Sequence, residues 1–457
     1  MPRKALDKDK IQYELLAYLN RHGASPTQSL CQKFQISQPT LSRIISSIKN
    51  QILVLGKAQE TKYALCRKIE NTITPIPLYE IHEDGSSKQL GILHALEPHG
   101  FYFESKIPGT KSSLYRDLPY FLNDIRPAGF LGRLIPAQNK DLHLPNDVTR
   151  WNPEHCLTYL SCREWNSIGN YILGEKSFQL YLENCQLLKQ SINSTQREEQ
   201  YSQLANDALL LADLGSSAGG EQPKFTTILL PEMKHVLVKF SPPTNTEIGK
   251  RVGDLMICEH LALQILKKNS YDASESKIIM HDHRFFLEVK RFDRMNKFGR
   301  RGLISLGSLD AEFTGKLGSW SQTAAELIKK KIIPSQLLTQ IRWLELFGEL
   351  IANNDMHLYN LSFFTCGLKV TGLAPVYDML PMLFMPRNNQ IIHKQFAPPL
   401  PLPEDGKIWS SVSTVALEFW DEVLSNTRIS TSFKKIAQEC KNKITELKDL
   451  AKLLPKN

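Results

Sequence analysis

Cysteine is scarce and scattered, with eight in 457 residues and no CxxC pair among them. The nearest two, Cys156 and Cys162, are spaced for no common zinc pattern, so reduced thiols and a cytoplasmic location are expected. Long apolar runs are missing too. No stretch reaches the ~18 residues of a membrane span, and the best candidate, Val376 to Met385, is broken by Asp378 and Pro381. The charged start from Met1 to Lys10 has no signal-peptide core, so no membrane partner is expected. The usual phosphate-loop patterns, GxGxxG and GxxxxGK followed by Ser or Thr, do not occur.

What is present is an ordinary globular composition, 42% hydrophobic and 23% charged, over a length that suggests about three domains. Such a chain can bury a large core without disulfides or metal. Its net charge of +9 is unevenly spread: residues 1–70 hold 12 Lys/Arg against 5 Asp/Glu, leaving only +2 for the rest. A basic end on a nearly neutral body points to polyanion binding.

The pattern within that end agrees. Ile11, Leu15, Leu16 and Leu19 fall at helical spacing. Ser25-Pro26 and Ser37 with Pro39 each read as a cap followed by an N-terminal proline, starting two further helices across a short break. Strands at Ile52–Leu55 and Thr61–Leu65 around Gly56-Lys57 would form a wing. Residues 8–68 resemble a bacterial winged helix-turn-helix domain. If the third helix enters a major groove, Gln38, Thr40, Ser42, Arg43 and Ser47 face DNA, with Lys57 near phosphate. Protein docking is the other use of such a module.

Residues 75–136 carry short strand-like runs, 153–214 reads as mainly helical, and 413–454 is helical. Arg126–Arg133 reads as a packing and turn segment. The chemistry begins at Leu214–Lys224, where small residues let backbone N–H groups converge on an anion and Lys224 adds charge. Strands at Phe225–Leu230 and His235–Phe240 follow, the second holding the single lysine Lys239. Glu259, on a helix over Gly253–Lys267, is one of several acids open to pairing with it. A hairpin at Ser276–Arg291 turns over His281-Asp282-His283, and Leu287–Phe292 would close an adenine pocket through backbone hydrogen bonds.

The strongest signal is the polar run Asn353–Asn360 between apolar flanks. Asp355 and Asn360 have the spacing of the base and the metal-binding Asn in protein-kinase catalytic loops. A hairpin after Asn360 would return the chain to Asp378, so both could face one Mg²⁺.

Together Ser217–Lys224, Glu288–Arg294, Asn354–Asn360 and Leu373–Asp378 resemble the HipA family of serine/threonine kinases, the toxins of bacterial toxin–antitoxin systems, over about residues 75–440. The resemblance implies an α+β, two-lobed protein-kinase-like fold using ATP and Mg²⁺, with Asp355 as catalytic base and Asn360 and Asp378 as metal ligands. Ser217, Gly219, Gly220, Lys224, Lys239, Lys290, Phe292 and His357 make the expected nucleotide-binding set. Ser217 matches the family's autophosphorylated loop serine, with Ser216 adjacent. Lys290 and Tyr359 depart from the family, which usually has Glu and Lys there.

Four segments are expected: a winged domain over 1–72, a β-rich unit over 73–150, an upper kinase lobe over 151–292 and a helical lower lobe over 293–457. Expected partners are DNA, a protein bearing a Ser or Thr hydroxyl, and an antitoxin. The alternative is a DNA-binding regulator whose kinase-like body senses nucleotide with little catalysis. A metal hydrolase using Asp355 and His357 is the remote third reading.

Overall fold

The computed structural model describes residues 8–188, 190–213, 222–388 and 390–450. Ser216, Ser217, Gly219 and Gly220 of the expected phosphate loop lie outside the described residues.

Helices Lys8–His22, Thr27–Phe34 and Gln38–Ser47 pack on a small antiparallel sheet of Ser25–Pro26, Lys62–Leu65 and Ile52–Leu55. Leu15, Leu19, Leu30, Leu41, Ile44, Ile45 and Ile52 fill the space between them, each contributing about 1.5–3 kcal/mol by leaving water. Ser37 caps the third helix as its sequence suggests, accepting from Thr40 N–H. Ser25 does not cap the second. Its backbone pairs with Tyr63 and is held extended, its hydroxyl donates to the Gly23 carbonyl, and the helix starts beyond Pro26. Gly56 makes the wing turn at φ +72°, where a Cβ would lie 2.8 Å from the Glu60 carbonyl oxygen.

The wing is seated on the next unit. Arg67 N–H donates to Ala95 O at 2.8 Å, Glu97 N–H to Leu65 O at 2.9 Å, and Leu55 and Ala64 share a core with Leu96 and Tyr102. That unit is a five-stranded antiparallel sheet in the order Ser113–Tyr115, Phe101–Ser105, Ser87–Ala95, Ile76–Ile81, Tyr171–Leu173. Its last strand interrupts 153–214, which is otherwise mainly helical as read, in helices Pro153–Cys162, Glu175–Leu187 and Arg197–Asp213. Tyr171, Ile172 and Leu173 are all buried, and a short apolar run covered on both faces is stable as a strand. The unit therefore passes the division expected at 150. The second half of Arg126–Arg133, read as a packing and turn segment, lies in a helix, Gly129–Gln138.

The kinase-like body has two lobes. The upper is a five-stranded sheet in the order Ser276–His281, Arg284–Lys290, Lys234–Phe240, Lys224–Leu230, Ser191–Asn193, antiparallel except for its last pair. Helix Glu247–Lys268 packs against it, and Gly253 lets the Phe285 ring come where a Cβ would lie only 2.5 Å away. The lower lobe contains helices Leu306–Phe313, Trp320–Lys329, Leu337–Leu350, Trp409–Ser425 and Thr431–Leu450. With them is a three-stranded sheet of Gly302–Ser305, Ser362–Cys366 and Lys369–Leu373. Among the described residues no helix is long and apolar enough to cross a membrane.

Candidate active site

Two lysines share a face of the upper sheet, for Lys224 stands directly opposite Lys239 in the antiparallel register. Lys239 is 7% exposed, and a buried ammonium is costly unless it is paired. Its Nζ donates to both Glu259 oxygens at 2.7 Å each, and also to Asp378. Of the acids open to Lys239, the helix under the sheet therefore supplies Glu259, and the lower lobe supplies Asp378.

Asp378 is fixed by what precedes it. Val376 N–H donates to Asp272 O and Ser274 N–H to Val376 O, both at 2.9 Å, clamping this segment to the upper lobe. Asp378 itself has φ +52°, a conformation a side-chain-bearing residue keeps only where its surroundings impose it.

The catalytic-loop candidate joins the same place. Asn353, 6% exposed, accepts from Asp355 N–H through Oδ1 at 3.1 Å and donates through Nδ2 to the Asp378 carbonyl at 3.5 Å. Asn360 Nδ2 donates to Asp355 O at 2.8 Å, which leaves Asn360 Oδ1 as an acceptor. Tyr377 hydroxyl donates to Tyr359 O at 2.7 Å, a second tie between the loop and the Asp378 segment. The Asp355 side chain is exposed. His357 is exposed as well, and its carbonyl accepts from Trp320 Nε1 at 3.1 Å.

The charges reinforce one another. Burial alone would lower the affinity of Lys239 for its proton, yet Asp378 and Glu259 hold it above the ordinary lysine value. Burial likewise opposes ionisation of Asp378, and Lys239, Lys224 and His357 outweigh it, holding the carboxyl below its usual range. Burial and the Asp378 charge push Glu259 upward against the pull of Lys239. The Asn360 amide oxygen and the Asp378 carboxylate are hard oxygen donors of the type that suits Mg²⁺ when water and phosphate complete its shell.

One residue of the expected nucleotide-binding set is turned to another partner. Lys290 points to Glu275, with Nζ to Oε1 at 3.1 Å, and no contact brings it to Lys239 among the described residues. The N–H groups of Lys290 and Arg291 are already given to Glu275 O at 2.8 Å and His235 O at 2.9 Å, so the sheet has used donors expected to face adenine. Phe292 lies nearer the site, its ring centroid 6.0 Å from that of Tyr377. On the winged unit Gln38, Ser42, Arg43, Ser47 and Lys57 are exposed. Thr40 hydroxyl is engaged with Ser37 at 2.9 Å and Ser47 hydroxyl with Ile44 O at 2.6 Å.

Sequence reasoning gave Asn353 no role and left Glu259 among several acids. The signal for Asn353 was its position: a second asparagine just past the apolar Leu350-Ile351, where a buried amide needs partners.

The two-lobed body with its seated helix-turn-helix unit defines a HipA-like protein, and the comparisons agree. Residues 216–447 match the HipA-like C-terminal domain family, residues 72–182 the YjjJ-like toxin middle domain, and residues 3–56 the Mga helix-turn-helix domain. The chain belongs to the HipA-like family. Toxin YjjJ of Escherichia coli (strain K12) is 34% identical over 435 residues, spanning 93% of this chain and 96% of that protein. Among solved structures, the Shewanella oneidensis MR-1 toxin–antitoxin complex of HipA, HipB and operator DNA aligns over 82% of this chain and 97% of its own, with TM-score 0.49 and 16% identity. The Helicobacter pylori proinflammatory kinase CtkA aligns over 51% of this chain and 91% of its own, with TM-score 0.36 and 13% identity.

Proposed function

We propose that this chain is an ATP-dependent serine/threonine protein kinase, a toxin acting in the cytoplasm, whose own winged domain binds DNA. One observation carries the reading: the Lys239–Glu259–Asp378 ion cluster is joined through Asn353 to the backbone of Asp355. A strand lysine, a helix glutamate and a loop aspartate in one ion cluster, tied to the backbone of a second loop aspartate, support the reading of a phosphoryl-transfer site.

In this proposal Asp355 accepts the proton of a Ser or Thr hydroxyl as its oxygen attacks the γ-phosphorus. The bond to the β–γ bridging oxygen breaks and ADP leaves. Lys239 exchanges Asp378 for phosphate oxygens while Glu259 keeps it oriented, and Lys224 adds charge from the neighbouring strand. Asn360 and Asp378 would hold Mg²⁺, which when bound offsets charge on the phosphates. By the family resemblance, Gly219 and Gly220 would contact the phosphates, Phe292 and His357 would border the nucleotide, and Ser217 or its neighbour Ser216 would take the autophosphate. Lys290 is assigned no side-chain role, being committed to Glu275. An antitoxin is the expected protein partner. The proposal keeps four segments, and the pairing of Tyr171–Leu173 with Leu78–Glu80 supports moving the boundary between the second and third beyond 173.

The test is label transfer from γ-labelled ATP with Mg²⁺, read on the chain itself by intact mass and on added protein. Wild type should gain phosphate mapping to Ser216 or Ser217, and Asp355→Asn should lose it. Equal labelling of both would remove Asp355 as base. ATP binding with no transfer to protein by wild type would favour the nucleotide-sensing regulator instead.

A further inference from the structure

Beside the catalytic-loop candidate, the lower lobe holds a leucine out in water on a strained backbone. The loop 314–319 joins helices Leu306–Phe313 and Trp320–Lys329, and both helices touch the catalytic loop. The Trp320 indole donates to the His357 carbonyl at 3.1 Å, and the Tyr359 ring packs on Gly307, where a Cβ would lie 2.8 Å from it.

One exposed leucine is ordinary on a protein surface, but the backbone of this one is imposed on it. Leu317 is 84% exposed, the most of any large apolar side chain among the described residues, and its φ is +52°. A residue bearing a Cβ keeps that conformation only where its surroundings enforce it. Asp310 enforces it. Its buried carboxylate accepts from the Thr314 hydroxyl and from the Lys316 and Leu317 N–H groups at 3.3 Å each, while its carbonyl accepts from Gly315 N–H at 2.7 Å.

The surroundings of Leu317 are basic. Lys316 and Lys329 share Glu326 at 3.4 and 2.9 Å, Lys330 donates to the Phe313 carbonyl at the start of the loop, and Lys331 follows it. All four lysines are exposed. Of the other acids close in sequence, Asp310 is buried and engaged with the loop, and Glu312 lies near Tyr115 and Tyr120 of the middle unit. Positive charge is therefore in excess around an apolar centre, the arrangement of a protein contact with a charged rim. Nucleic acid would use the lysines and has no use for the leucine. A second copy of this chain would set the same positive surface against itself.

We propose that the loop 314–319 and the lysines beside it form a docking surface for an acidic protein substrate, which receives Leu317 as its apolar contact. That the partner is the substrate rests on the kinase reading above, since the surface adjoins the loop that would carry the base.

The test supplies the full chain with Mg²⁺ and γ-labelled ATP, with dephosphorylated casein as an acidic protein probe and protamine as a basic one. Wild type is compared with Leu317→Asp and with the double variant Lys329→Glu, Lys330→Glu, and labelling of the chain itself serves as the control. Wild type should label casein in preference to protamine. Both variants should raise KM for casein by about fivefold or more, leave kcat nearly unchanged, and label themselves as wild type does. Absence of a preference for casein overturns the proposal, as does a KM that Leu317→Asp leaves unchanged. A KM that responds to the lysines alone assigns them to general attraction of polyanions and also overturns it. Any of these failures with self-labelling intact leaves the kinase reading standing, whereas a wild type that does not label itself overturns both.

Discussion

Asn353 holds the backbone of Asp355 in place: its buried amide oxygen accepts the Asp355 N–H at 3.1 Å while its amide nitrogen reaches the Asp378 carbonyl. One side chain thus fixes the separation of the loop that would deliver the base from the segment that would deliver a metal ligand. Asn353→Ala should lower kcat for autophosphorylation by about ten- to a hundredfold, because small misplacements of reacting groups are costly. KM for ATP should change far less. A melting temperature close to wild type, measured alongside, separates lost positioning from lost folding.

Lys239 makes the complementary case for charge. Its removal leaves the Glu259 carboxylate, 1% exposed, without its cation, so Lys239→Met should destabilise the fold by about 3–5 kcal/mol. Adding Glu259→Gln removes the stranded charge and should restore part of that loss. Urea denaturation of both variants reads the difference. Equal midpoints for the single and double variants would show that Glu259 is neutral or solvated in the folded protein.

The pattern of these residues shows what a sequence can carry. Ser37 and Pro39 announced the third helix of the winged unit because capping is local chemistry, completed within a turn. The hairpin expected after Asn360 was legible for the same reason, and it forms from Ser362–Cys366 and Lys369–Leu373 with Gly367 at φ +57° in its turn. Tyr171–Leu173 was hidden, since its strand character depends on pairing with Leu78–Glu80, far away in the chain. Ser25 misled by the same rule, its extended backbone being set by Tyr63 rather than by the helix beside it. At the site, the Asp355 and Asn360 spacing was visible, whereas the choice of Glu259 required the helix Glu247–Lys268 to be docked under the sheet.

A different carboxylate should govern the response to pH near neutrality. Glu349 lies in the last turn of helix Leu337–Leu350, just ahead of the catalytic-loop candidate. Burial, and then the neighbouring Glu345, push it from an ordinary value of 4.5 up to about 7. Arg342 opposes this only from a distance, being bonded to Glu345 at 3.0 Å and to Asp405 at 2.8 Å. The folded state therefore holds this proton more tightly than the unfolded chain does. Stability contributed by that proton is complete below about pH 4.5 and is lost as pH rises through 7, by on the order of 3 kcal/mol. Glu349→Gln, a mimic of the protonated form, should match wild type at pH 5 and exceed it at pH 8.5 in urea midpoint. A pH-independent difference between the two would assign the effect to packing.

The winged unit makes the last prediction, and the roles of its residues separate by position. Arg43 is exposed on the third helix, where a guanidinium can read a base edge, whereas Lys57 sits on the wing turn beside Gly56, where a phosphate contact is the natural use. Arg43→Ala should cost about 1–3 kcal/mol on the preferred site and narrow the gap between preferred and random DNA. Lys57→Ala should weaken both by a similar factor and reduce the slope of log K against log salt by about 1. Thr40 and Ser47 spend their hydroxyls on Ser37 and on the Ile44 carbonyl, so their alanine variants should bind DNA within a few-fold of wild type. Fluorescence anisotropy over a salt series checks all four. Should Arg43→Ala and Lys57→Ala both leave binding unchanged, the exposed face of this helix would be a protein-docking surface.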